Sequence, residues 1–380
     1  MLLLFFGWLA LGLALVGAAC AAAGTLLIRY RLGCAGPMRR LKSGAVTILK
    51  PLHGAPAGLE AALTSALDQD YDGPVQLICG LQNASDPARF VVEHLQQRHP
   101  DRDISLIIDA QLHGANRKIS NLMNMERTAK HNLLVVADAD IAVPRTWLAD
   151  IASTLSAQQA GAATCFYIGG GRDRWSQLSA MGISYQFLPN AAFGTAARLA
   201  RPFFGATMAL RRDVLEKIGG FAALRNCLAD DYEIGRRVRA SGYSVAYPPV
   251  LVRHDCADAS WTELWHREVR WARTVRSISA AGHWGSLASH AFPLALFGSA
   301  ALDFSPAALT ALLIVVLARL FLKAGVDDIA GASAGPLWLL PIRDLVSFGV
   351  FMASLVNMNI SWRDDRLRIG KDGAISQVIG

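Results

Sequence analysis

Charge is the scarcest resource in this chain. Asp, Glu, Lys and Arg make up 18% of its 380 residues against 53% hydrophobic, and the mean hydropathy is +0.30. That balance excludes a wholly soluble protein and leaves room for one large catalytic domain plus membrane segments. Cysteine is nearly as thin. The six residues Cys20, Cys34, Cys79, Cys165, Cys227 and Cys256 are scattered, with neither metal-type spacing nor a disulfide framework, which fits a reducing cytosol. No basic run is interleaved with aromatics, so nucleic acid is set aside as a partner. The net charge of +7 instead fits a protein that sits on an anionic membrane face and handles an anionic substrate. Repeats and low-complexity segments are absent.

The longest uncharged stretch, Met1 to Ile28, can span a bilayer. It lacks the positive charge that a cleaved signal peptide carries before its apolar core. Gly17-Ala18-Ala19-Cys20 resembles a lipoprotein cleavage site, but Gly17 stands where a larger aliphatic belongs. Arg29, Arg31, Arg39, Arg40 and Lys42 follow at once. The positive-inside rule then puts the amino terminus outside and the large middle region in the cytoplasm. An uncleaved anchor over residues 1–30 is expected.

From Ala45 the pattern turns to alternating strands and helices. Apolar strands are expected at 45–49, 75–79 and 104–108, with helices over about 57–67, up to about Arg98, and from about Ser120. The fourth strand is a continuous apolar run, His131 to Ala137, that ends in Asp138-Ala139-Asp140. Such a run suits a central strand covered on both faces. The fold class expected is α/β, with a doubly wound, mostly parallel sheet in a domain over residues 43–255. Ligands of such sheets bind at the carboxyl ends of the strands.

Carboxyl-terminal to this domain, residues 256–285 hold a helix from about Trp261 to Ser279. Its apolar side carries Trp261, Leu264, Trp265, Trp271, Val275 and Ile278, and its cations are Arg267, Arg270 and Arg273. A helix of this kind lies in the membrane interface. Residues 286–358 contain three apolar runs, 287–302, 307–322 and 337–358, the last carrying Arg343 and Asp344. A charge pair inside a span is a functional site unless the helix begins after Asp344, and both arrangements remain open. The basic tail, 359–380, belongs in the cytoplasm, which requires an even number of crossings. One of the three runs is therefore expected to be re-entrant or interfacial, and two to three to be membrane helices.

Several residue sets can carry chemistry. Asp138 and Asp140 can hold Mg²⁺ or Mn²⁺, which takes oxygen ligands and completes its shell with substrate phosphates; a solvated acidic turn is the alternative. Asp86 can accept hydrogen bonds from a base or ribose, or simply cap the helix that follows. Lys118, beside Arg117, can meet phosphates or form a solvated turn. Asp230 and Asp231 open an amphipathic helix, where one carboxylate can act as a general base while its neighbour raises its proton affinity and orients it. Complementing the helix dipole is their simpler role. The guanidinium groups of Arg267 and Arg270 can neutralise a leaving diphosphate, or only anchor the helix.

Taken in order, these residues resemble the inverting glycosyltransferases of family 2 with their nucleotide-binding GT-A fold. The resemblance rests on Asp86, Asp138-Ala139-Asp140, Asp231 and Arg267-Glu268-Val269-Arg270-Trp271. It narrows to the ceramide glucosyltransferase group through segments 48–52, 69–71, 116–122, 228–232 and 270–276. Within that group, segments 50–54, 113–118 and 339–344 are most similar to the bacterial hopanoid-biosynthesis-associated glycosyltransferases. The resemblance implies that Asp86 contacts uridine, Asp138 the nucleotide sugar, and Asp140 a divalent metal on the diphosphate. It makes Asp231 the base, and it sets Arg270 and Trp271 at the diphosphate and the acceptor mouth. His254 falls loosely where some relatives place a third metal ligand. The implied donor is a UDP-sugar and the implied acceptor a membrane lipid, hopanoid or ceramide, at the cytoplasmic face of a bacterial inner membrane. The competing readings are ceramide glucosylation from UDP-glucose and a binding protein without turnover. Intact Asp138, Asp140 and Asp231 argue against the latter.

Overall fold

The computed structural model describes residues 1–33 and 44–356, with strands at 359–362, 365–369 and 375–377 beyond them. The basic residues Arg39, Arg40 and Lys42, and residues 363–364, 370–374 and 378–380 of the tail expected in the cytoplasm, lie outside the described residues. The chain divides into two compact units. A sheet unit comprises 34–167, 202–257 and 373–380, and a helical unit comprises 1–33, 168–201 and 258–372.

In the sheet unit, strands β1 (Val46–Pro51), β2 (Val75–Leu81), β3 (Asp103–Ile108) and β4 (Leu133–Val136) are parallel. Helices Leu59–Leu67, Ala88–Arg98 and Arg117–Glu126 alternate with them along the chain. Beyond a short β5 (Ile141–Ala142) come β6 (Ala162–Ala163), β7 (Phe166–Gly170), β8 (Met208–Arg211), β9 (Val245–Ala246) and β10 (Leu251–Asp255). The seven-stranded order is β3-β2-β1-β4-β8-β6-β9, with β8 antiparallel to both neighbours. The mostly parallel sheet expected from the alternation is present. β4 sits at its middle, and Leu134, Val135 and Val136 are fully buried on both faces, as a covered central strand requires. β5 pairs antiparallel with β10, setting Ile141 opposite His254.

Residues 168–201 lie inside the span 43–255 expected for the nucleotide-sugar domain, yet they cluster with the apolar helices. They form helix Arg174–Gly182, a π-helical turn Ile183–Phe187 and helix Leu188–Ala196. Pro189 has no N–H to give the carbonyl of Tyr185, four residues back. That carbonyl instead accepts from Arg319 Nη1 at 2.7 Å.

Among the described residues, three helices, all in the helical unit, are long and apolar enough to cross a membrane: Leu2–Gly33, Pro306–Ala330 and Leu337–Ser354, the last beginning with a short 3₁₀ turn. The remaining apolar run becomes helix Ala291–Ala301, 11 residues, which reaches only about 16 Å and falls short of an apolar core of about 30 Å. This is the run that cannot span. Leu340–Ser354 begins before Arg343 and buries both Arg343 and Asp344, so the arrangement with a helix starting after Asp344 is overturned. The two do not pair with each other. Asp344 takes a bidentate contact from Arg319, and Arg343 is held by Glu268.

The first helix buries Gly7, Ala10, Leu11, Ala14, Gly17, Ala18, Ala21 and Gly24, a stripe of mainly small residues at intervals of three and four. Small residues let helix backbones approach closely where lipid supplies no hydrophobic drive. A Cβ on Gly17 would stand 1.7 Å from the carbonyl oxygen of Ala288, and one on Gly24 2.0 Å from that of Pro189. Gly12 has nothing within 4 Å. We therefore expect Gly17→Ala and Gly24→Ala each to cost about 1–3 kcal/mol by overpacking. Gly12→Ala should be neutral or stabilising by up to about 1 kcal/mol through helix propensity. Thermal unfolding of the detergent-solubilised protein measures the difference, and equal melting temperatures for all three would refute the close packing.

Candidate active site

The carboxyl end of β4 delivers two carboxylates into a cluster of charge. Ala137 is buried, and 37% of each side chain of Asp138 and Asp140 remains accessible. Lys118 Nζ lies 2.7 Å from Asp138 Oδ1 and 3.6 Å from Asp230 Oδ2. Burial favours losing the lysine proton, but Asp138 and Asp230 outweigh it and hold its pKa above the ordinary value. Lys118 is thus the counter-charge of the acidic groups, and its 15% exposed side chain rules out a solvated turn.

Its placement follows from Asn116. The Asn116 Oδ1 accepts from Ile119 N and caps helix Arg117–Glu126. Its Nδ2 donates to Cys227 O at 2.8 Å and to Asp230 Oδ1 at 3.4 Å. One amide therefore fixes both the helix bearing Lys118 and the approach to the helix that begins at Asp230.

Asp230 and Asp231 open helix Asp230–Ala240 with Glu233, giving its first turn three acidic side chains. The two neighbours meet different surroundings. Asp230 is buried against Asn116 and Lys118, and it caps no backbone N–H among the described residues. Asp231 Oδ2 accepts from Gly205 N at 3.0 Å and Oδ1 from Tyr232 N at 2.7 Å. Burial first, then the adjacent Asp230 charge, push the Asp231 carboxyl up to about 6, against the pull of Lys118. Gly205 marks the point of convergence. A Cβ there would stand 3.5 Å from Asp138 Oδ2, from Asp231 Oδ2 and from Lys118 Nζ.

Asp140 has a separate partner. His254 Nε2 approaches its Oδ2 at 3.1 Å, because the β5–β10 register brings β10 alongside the loop after β4. Burial alone would raise the Asp140 pKa; the His254 charge and hydrogen bond, with Lys50 behind them, hold it at about 2. The same pairing raises His254 well above its usual value against the burial that opposes it. Asp140 Oδ1 is buried without a hydrogen-bond partner among the described residues. An orphaned carboxylate oxygen one residue from a second carboxylate fits a hard divalent cation. Among the described residues no three His, Cys, Asp or Glu side chains converge on one metal position. Mg²⁺ and Mn²⁺ do not need three, since water and phosphate complete the shell.

Asp86 is engaged elsewhere in the sheet unit. It accepts from Ala88 N at 2.9 Å, opening the helix that follows, and from Gly54 N with both oxygens, at 3.1 and 2.9 Å. The simpler capping role is therefore realised, with a tie to the loop after β1 added. In the helical unit, Arg267 pairs with Asp258 at 2.8 Å and stacks over Trp271 at 4.8 Å, while its Nε is buried without a hydrogen-bond partner among the described residues. Burial, then the neighbouring Arg267, lower Arg270 to about 10.

Sequence reasoning gave no site role to Lys50, Asn116 or Gly205. Lys50 is fully buried at the end of β1, and its Nζ donates to Asp138 O at 3.0 Å and Ile141 O at 2.8 Å, clamping the Asp138–Ile141 loop. A lysine closing an otherwise apolar strand was the available signal. Gly205 carried none.

Comparison with known proteins adds three findings. The sequence model of Glycosyl transferase family 21 matches residues 9–375. Ceramide glucosyltransferase 3 of Caenorhabditis elegans is 23% identical over 355 residues, 87% of this chain and 74% of the relative. Ceramide glucosyltransferase 1 of the same organism is 24% identical over 237 residues, 60% of this chain and 49% of the relative. Among solved structures, the mannosyltransferase PcManGT from Pyrobaculum calidifontis, in complex with GDP-Man and Mn²⁺, aligns with a TM-score of 0.47 at 20% identity, over 91% of this chain and 99% of that one.

Proposed function

The chain belongs to glycosyl transferase family 21, and we propose on that premise that it moves a sugar from a UDP-sugar onto a lipid hydroxyl with inversion at the anomeric carbon. The ceramide glucosyltransferase group named from motifs agrees with this family. The observation that carries the mechanism is the convergence of Asp231, Asp138 and Lys118 around Gly205. A base candidate with a raised pKa stands there beside the carboxylate proposed to meet the donor. Asp231 takes the acceptor proton as the acceptor oxygen bonds to the anomeric carbon and the bond from that carbon to the diphosphate oxygen breaks. The Gly205 and Tyr232 N–H groups hold Asp231 in place, and burial with the charges of Asp230 and Lys118 sets its proton affinity. Asp86 is proposed to meet the uridine, and Arg267, Arg270 and Trp271 the departing UDP. Asp140, with Asp138, would hold a divalent cation, which would neutralise charge on the diphosphate; His254 would act as the partner of Asp140.

The finer reading takes N-acetylglucosamine as the sugar and a bacteriohopanepolyol as the acceptor, from the resemblance of segments 50–54, 113–118 and 339–344 to the hopanoid-associated enzymes. The second reading is glucose transfer to ceramide, favoured by the names of the two nematode relatives. A screen of UDP-sugars against extracted lipid acceptors separates them. Product from UDP-N-acetylglucosamine and hopanoid supports the first, product from UDP-glucose and ceramide the second, and no product from either refutes both.

The catalytic assignment predicts a rate that rises with pH through about 6 and levels off above it, because the Asp231 base must be ionised and its pKa is lifted to about that value. Asp231→Asn should lose on the order of 10²–10⁴-fold in rate with UDP affinity little changed, and Asp230→Asn should lose much less. Asp140→Asn, or excess chelator on the parent, should also cripple transfer. A dead Asp230→Asn beside an active Asp231→Asn would exchange their roles.

We further propose that the sheet unit faces the cytoplasm of a bacterial inner membrane, on the strength of the basic residues after the first helix. Cys165 is fully buried and unsuitable as a reporter, whereas Cys227 is half-buried. An impermeant thiol reagent should miss Cys227 in intact cells and label it in opened membranes; labelling in intact cells would reverse the orientation.

A further inference from the structure

Arg343 is 2% exposed in a helix long and apolar enough to cross a membrane, a placement that costs heavily unless the charge is neutralised and every donor is used. Both conditions are met. Its Nη1 and Nη2 reach Glu268 Oε1 and Oε2 at 2.8 and 2.6 Å, a bidentate fork. Nε and Nη2 donate to Ser347 Oγ at 3.1 and 2.9 Å, and Nη1 donates to Leu178 O at 3.2 Å. Five contacts serve the five N–H groups of the guanidinium. Gly182 leaves the room, since a Cβ there would meet Arg343 Cζ at 2.9 Å. Three helices are tied at this point: Arg174–Gly182, Trp261–Ile278 and Leu340–Ser354.

Glu268 is the residue that makes the tie informative. It stands inside Arg267-Glu268-Val269-Arg270-Trp271, one step after the first arginine. At about 100° per residue it projects about 100° away from Arg267 and about 160° away from Arg270. The cations of the motif and its carboxylate thus occupy different sides of one helix. Asp258 holds the same helix a second time, taking Arg267 at 2.8 Å and Ser179 Oγ at 2.7 Å. A solvent-facing pair would contribute little to fixing a helix. A pair with side chains 3% and 11% exposed has one geometry and fixes rotation and height together.

We propose that Glu268 and Arg343 are positioning residues for glycosyl transfer: their ion pair sets the rotation of helix Trp261–Ile278 and so the direction in which Arg267 and Arg270 present their charge. This rests on the reading of those arginines as the groups that hold the UDP diphosphate. The pair touches neither donor nor acceptor. It acts through the arginines.

The test uses the full-length protein in detergent, with UDP binding by calorimetry, KM and kcat for the UDP-sugar, and thermal unfolding. Glu268→Gln/Arg343→Met removes both buried charges together, so it avoids leaving one uncompensated. The proposal expects a melting temperature close to the parent's, UDP bound about 10-fold more weakly, and a KM raised by a similar factor. Arg270→Met should weaken UDP binding at least as much. A double variant that melts and binds UDP like the parent overturns the proposal, as does one whose activity loss tracks unfolding alone. If the double variant does not fold, Glu268→Gln is read against the same outcomes. Arg270→Met with unchanged UDP affinity overturns the diphosphate reading and the proposal with it. Weakened binding in Arg270→Met beside normal binding in the charge-pair variant overturns the positioning role alone.

Discussion

Four carboxylates gathered near the end of one strand would repel each other and resist losing water, and the sheet unit is arranged to prevent both. Asp138, Asp140, Asp230 and Asp231 are met by three cationic side chains. Lys118 bridges Asp138 and Asp230, His254 pairs with Asp140, and Lys50 reaches the carbonyls of Asp138 and Ile141 from beneath. Each counter-charge comes from a different element: the end of β1, the first turn after the Asn116 cap, and β10. Taking Lys118 or His254 away would leave a partly buried carboxylate without its ion-pair partner, which costs more than the pair itself contributes. The loop after β4, the helix at Asp230 and the antiparallel β5–β10 pair are therefore mutually dependent.

The helical unit solves the same problem where water is scarcer. Arg319 and Asp344 form one buried pair and Arg343 and Glu268 another; the Tyr185 carbonyl also accepts from Arg319, and Ser347 Oγ and the Leu178 carbonyl accept from Arg343. The sequence neighbours Arg343 and Asp344 point to different partners, as successive residues on a helix must, since they lie about 100° apart. Their adjacency in sequence therefore says little about which charges neutralise which. That information sits in residues 25 and 75 positions away.

What could be read from the sequence follows the range of the interaction responsible. The strands β1 to β4 and the helices between them were legible because local apolar patterning determines them, and Asp138 and Asp140 because a covered strand ending in carboxylates is itself a local pattern. The antiparallel β8 was not, since its place beside β4 depends on Leu134 meeting Leu210 across 76 residues. The clustering of 168–201 with the apolar helices was hidden for the same reason. Lys118 was visible as a basic residue in a Gly-containing loop, but its role is set by Asp138 and Asp230, so sequence offered only phosphate contact or a solvated turn. Gly205 could not have been found. Its part in the site is the absence of a Cβ at one point in space.

Asp230 and Asp231 show how far environment divides neighbours of the same chemistry. Both stand at a helix start, where the dipole favours negative charge. Asp230 faces inward to Asn116 and Lys118. Asp231 faces the Gly205 backbone, keeps two backbone hydrogen bonds, and bears the cost of burial beside another carboxylate, which lifts it to about 6. A carboxyl group lifted toward neutral pH is one that can take a proton there. A site with both acids exposed would give them similar proton affinities and leave neither suited to act as base near neutral pH. Here the surroundings of Asp231 are set by the start of its helix, which the Asn116 amide ties to the Lys118 helix through Cys227 and Asp230.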